Sequence, residues 1–157
     1  STLGTQTKTV ASYAGNLYIY TKGAKTVFRQ SNFDKELTAL RSVGKFDSLS
    51  GSLTDWAING QIVGISDAGA TSILQAGKAI ANATLPYSNP GTRLTTIESY
   101  PLLIVSAGRR VSVTDKQLGS KKDFFIPVKN TIAEITVNPN TNTVWVAAGT
   151  ELYLLGF

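Results

Sequence analysis

Hydrophobic positions along this chain fall in short runs that either alternate with polar residues or are apolar throughout, and the runs stop at Gly, Asn or Pro. That is strand chemistry: alternation sends every second side chain to one face of a pleat, an unbroken apolar run is covered on both faces, and the terminating residues favour turns. One phrase occurs four times, a β-rich run, a small-residue turn with Gly, and a second β-rich run. It covers Asn16–Gly23 then Lys25–Arg29, Gln61–Gly69 then Thr71–Leu74, Leu102–Gly108 then Arg110–Val113, and Thr143–Gly149 then Glu151–Leu155. A preceding strand is predicted in each unit, at Thr7–Tyr13, Leu53–Ile58, Leu94–Ser99 and Ile132–Val137. Outer strands are predicted at Leu37–Val43, Ala83–Tyr87 and Asp123–Val128, and the fourth unit reaches Phe157 at its third strand. Helix is poorly supported: Asn32–Ser42 and the Ala-rich Ala76–Ala83 are too short to hold one alone and are read as loop or outer strand.

The turn glycines Gly23, Gly69, Gly108 and Gly149 lie 46, 39 and 41 residues apart, near the roughly 40–45-residue period of a four-stranded propeller blade. The fold expected is all-β and β-propeller-like, about four blades in one domain over residues 1–157. A β-sandwich or barrel is the alternative, because it too spaces short strands regularly. Four units leave a ring unfinished, and unpaired sheet edges attract other chains. Association, or a partial propeller, is therefore expected over a closed four-bladed monomer.

The third unit, Leu103–Asp115 (LIVSAGRRVSVTD), resembles a degenerate WD40 repeat: a hydrophobic strand, a Ser-Ala turn with Gly, then a strand ending at Asp115. Thr114 stands where that family has Trp, the other units end in Phe28-Arg29, Leu74-Gln75 and Leu154-Leu155, and with no His the family's Gly-His element is absent. The resemblance is to a divergent propeller of the kind found in large intracellular assemblies. It implies a protein-interaction role and an intracellular setting, although composition by itself fixes no compartment.

Composition narrows the chemistry. The chain has no His and no Cys, which removes the commonest general base, the usual nucleophile–base pairs, disulfides and the main transition-metal ligands. The ten acidic residues are dispersed and are read as solvated face positions, and Asn138–Thr143 carries no carboxylate for calcium. No phosphate-binding glycine motif is present. No enzyme activity, cofactor or metal is expected. Trp56 and Trp145 both sit in strand runs and are read as core. Asn82-Ala83-Thr84 is a formal glycosylation sequon, relevant only to a secreted protein.

A net charge of +5 includes one polar cluster above background: Arg109, Arg110, Lys116, Lys121 and Lys122, followed by Phe124 and Phe125. Cations beside aromatic rings suit phosphate or single-stranded nucleic acid. A solvated hairpin rim with the Phe pair buried explains the same residues. The function expected is a non-enzymatic protein–protein interaction scaffold whose partners are other protein chains, another copy or the remainder of a propeller. Two alternatives stand beside it: a lectin-like carbohydrate- or small-ligand-binding β-protein, and a nucleic-acid binder using the basic rim.

Overall fold

In the computed structural model, which describes residues 9–31, 40–85, 93–96, 102–115, 117–127, 132–138 and 140–157, the strands form four antiparallel meanders taken in chain order. Sheet I pairs β1 (Val10–Tyr13), β2 (Asn16–Thr21), β3 (Thr26–Gln30) and β4 (Arg41–Lys45). Sheet II pairs β5 (Leu53–Ile58), β6 (Ile62–Ser66), β7 (Ala70–Gln75) and β8 (Lys78–Thr84). Sheet III contains β9 (Arg93–Thr96), β10 (Leu102–Ala107), β11 (Arg110–Asp115) and β12 (Ser120–Phe125), and sheet IV contains β13 (Ile132–Asn138), β14 (Thr143–Ala148) and β15 (Glu151–Gly156).

The turns explain why neighbours in sequence are neighbours in space. Gly108-Arg109 joins β10 to β11 and Gly149-Thr150 joins β14 to β15, with Gly108 at φ 59° and Gly149 at φ 62°. Glycine adopts that left-handed conformation without a Cβ penalty, and a two-residue loop of this kind matches the strand twist.

The two inner strands of each unit fall where the repeat predicts them, and β5 matches its predicted bounds. The outer strands differ. In sheet II the strand runs from Lys78 to Thr84, inside the Ala-rich stretch, and not over Ala83–Tyr87. Alanine has weak strand propensity, but the tight Ala76-Gly77 hairpin turns the chain back against β7 and the ladder fixes the conformation. In sheet I the outer strand is Arg41–Lys45, and in sheet III it is Ser120–Phe125. Parts of the predicted strands at residues 7–8, 37–39, 86–87, 97–99 and 128 lie outside the described residues.

The sheets stack face to face in order. Tyr18, Tyr20 and Val27 of sheet I pack with Trp56, Ile62 and Leu74 of sheet II. Ala57, Val63 and Ile73 of sheet II meet Leu118, which follows β11 of sheet III. Val111 and Val113 of sheet III pack with Ile135, Val144 and Val146 of sheet IV.

Burial along the strands follows from this stacking. β6 is buried at every position and β11 at its four central ones, because sheets II and III have a neighbour on both faces. In sheet IV the pattern alternates: Val144 and Val146 are buried while Trp145 between them is exposed. Trp145 is therefore not core, contrary to the reading of its strand run. Trp56 is fully buried, as expected.

Candidate functional site

The basic cluster lies on sheet III, and strand alternation divides it. Register places Arg110 opposite Phe125 and Ser112 opposite Asp123 on one face, and Lys122 opposite Val113 on the other. Arg110 forms a fork with Asp123, Nε donating to Oδ1 at 3.2 Å and Nη2 to Oδ2 at 3.1 Å, and the Ser112 hydroxyl donates to the same carboxylate. These donors hold the Asp123 carboxyl below its usual range, Arg110 foremost, with partial burial opposing. The Arg110 guanidinium lies 5.5 Å from the Phe125 ring centre, and the Lys122 ammonium 5.2 Å from that of Phe124. Lys122 Nζ also donates to the carbonyl of Gly156 at 2.9 Å, tying sheet III to the last strand of sheet IV. Arg109 is exposed on the turn, Lys121 sits on β12, and Lys116 lies outside the described residues.

Phe124 is half-buried but Phe125 is 69% exposed, so the pair is not buried together as an outer strand would have it. Their adjacency on one strand sends them to opposite faces. Asp55 also departs from a solvated position: it is buried, and its carboxylate accepts the backbone N–H of Trp56 at 2.9 Å. Asp115, the one residue matching the Trp-Asp pattern, closes the loop after β11 by accepting the N–H groups of Gln117 and Gly119 at 2.9 and 2.8 Å. Among the described residues no group of acidic side chains is placed to hold a metal ion.

Two features were not read from the sequence. A cleft of about 290 Å³ opens between sheets I and II, walled by Arg29, Tyr18 and Ser42 on one side and by Ile58, Ile62 and Leu74 on the other. The hairpin positions Gly60, Ala76 and Gly77 also line it. The second is the outer face of sheet IV. Trp145 is paired with Leu154 and Ala147 with Leu152, so these side chains share the face turned away from sheet III. Leu152 is 64% exposed and Leu154 52%. The outward face of sheet I carries Val10, Ile19 and Phe28 in one cross-strand row, Val10 being 50% exposed.

No family model matches the sequence, and no curated protein matches it. Solved structures do resemble the fold. The computationally designed protein Ika8 superposes with a TM-score of 0.67 at 13% identity, over 94% of this chain and 45% of its own. KlAtg21, solved in complex with the coiled coil of AgAtg16, gives 0.62 at 12% identity over 89% and 48%. The dihydro-heme d1 dehydrogenase NirN, in complex with DHE, gives 0.63 at 11% identity over 90% and 32%. The chain is all-β and propeller-like, and it spans less than half the length of these neighbours. The sandwich and barrel alternatives are set aside. Because a dehydrogenase stands among the neighbours, the shared fold assigns no activity.

Proposed function

We propose that this chain is a non-enzymatic protein–protein interaction scaffold that docks other β-sheets on its terminal faces. The observation that supports this is the contrast between sheets II and III, whose central strands are buried on both faces, and sheet IV, whose outer face leaves Trp145, Leu152 and Leu154 in water. Interior sheets of the stack cover such rows with the next sheet, so the natural occupant is another sheet with an apolar face. A second copy supplies one. Its sheet I face, with Val10, Ile19 and Phe28, meets sheet IV, and the reciprocal contact closes a two-fold ring. The chain covers 45% of the designed neighbour, so a further β-rich segment of about the same size, from another copy or from the remainder of a propeller, matches the rest of that length.

The basic residues Arg109, Arg110, Lys121 and Lys122 belong to the interior sheet III and are proposed as a contact patch separate from the docking faces. Nucleic acid is the less favoured occupant, because the Arg110 charge is matched by Asp123 and the Lys122 ammonium already has an acceptor and a ring.

Sedimentation of the Leu152→Ser, Leu154→Ser double variant tests the docking face. Each half-exposed Leu is worth about 1 kcal/mol when the rest of it is buried. Since a two-fold ring uses the face twice, the dissociation constant should rise by roughly a thousandfold. Unchanged association would exclude this face.

A further inference from the structure

We propose that the cleft between sheets I and II binds a small organic carboxylate, its charged end on Arg29 and its apolar body against Ile58, Ile62 and Leu74. This is independent of the docking reading, since the cleft lies between two sheets of one chain.

Arg29 supplies the charge of the cleft. Its Nε is buried and has no hydrogen-bond partner, although a guanidinium N–H stripped of water is costly to leave unmatched. The register of sheet I sets the next cation directly beside it: Arg29 pairs with Arg41 across β3 and β4. Like charges facing each other in a ladder destabilise it. A bulge between Val27 and Phe28 precedes this pair, and among the described residues no acidic side chain lines the cleft. An anion in the cleft would lie against the Arg29 side chain and screen the pair.

The rest of the lining selects the body of that anion. Ile62 and Leu74 are buried and Ile58 is half-buried, so the floor is apolar. The polar side chains among the described lining residues, Tyr18, Arg29 and Ser42, all come from sheet I. Gly60 and Gly77 line the cleft without side chains of their own. At about 290 Å³ the cleft has the volume of about ten waters, the scale of a short acid. The division into one cationic wall and one aliphatic floor fits a carboxylate on a hydrocarbon stem better than a polyol, which would leave the floor unmatched.

Amide NMR titration of the full chain with hexanoate, and with hexanamide as the uncharged counterpart, tests the assignment. Hexanoate should shift the Gly60 and Gly77 amides saturably, hexanamide should not, and Arg29→Gln should weaken hexanoate by about tenfold or more. If Arg29→Gln does not fold, Arg29→Lys keeps the charge and the stem but lacks the planar guanidinium fork, and it too should bind more weakly. The proposal is overturned by the absence of a saturable shift at these glycines, by equal binding of hexanamide, or by unchanged affinity in the folded variant.

Discussion

Gly64, in the middle of β6, sits directly under the Phe46 ring, which follows β4 of sheet I. A Cβ built there would lie 2.6 and 2.7 Å from two ring carbons of Phe46 and 2.8 Å from Cδ1 of Leu53. Carbon atoms in contact prefer about 3.5–4.0 Å, so the Phe46 ring would have to retreat by about 1 Å. It has little room, being 1% exposed in the cluster that also holds the fully buried Trp56. Overpacking of this kind costs about 1–3 kcal/mol. Against it, removing glycine from a strand interior returns about 0.5–1 kcal/mol of backbone entropy. The balance predicts that Gly64→Ala is destabilised by about 1–2 kcal/mol, read as a lower urea midpoint at unchanged slope. Phe46→Leu in the same background should recover part of the loss, so that the two changes are not additive. A Gly64→Ala protein as stable as the parent would refute the claim that this glycine is a packing requirement between the sheets.

Other outcomes follow from the same geometry. The Asp123 carboxyl should titrate below the ordinary carboxylate range by NMR and move upward in Arg110→Gln. Because its folded pKa is depressed, the stabilisation from this pair is present above the unfolded value and lost as pH falls through the folded one. An unshifted Asp123 would mean that the fork is not formed in solution. Ala76 is held at φ 49° in the hairpin between β7 and β8, so Ala76→Gly should raise stability by about 0.5 kcal/mol after glycine's entropy cost is subtracted. A fall in thermal midpoint would contradict the turn assignment.

How much could be read from the chain varied with the range of the signal. The inner strands and their turns were legible because both periodicity and turn chemistry are local: β11, for instance, is announced by Gly108 and by the apolar and small residues of Arg110–Asp115. The outer strand of sheet II was obscured by alanines, whose strand state is imposed by the ladder with β7. Trp145 shows a different limit. Its strand pattern resembles that of Trp56, and only the order of the stack decides that one has a sheet above it and the other does not. The basic residues were legible as a cluster in sequence but not as a surface, because the pleat sends Arg110 and Lys122 to opposite faces. The cleft was not legible: its walls come from β2, β3 and β4 and from two hairpins of the next sheet, and no local motif joins them.

The mass of the purified chain in solution, by light scattering across a range of concentrations, decides whether the terminal faces dock. If the terminal faces of an open stack dock on each other, the 16.7 kDa chain should weigh in as a dimer of about twice that mass, dissociating on dilution. A monomer at every concentration would contradict the docking account.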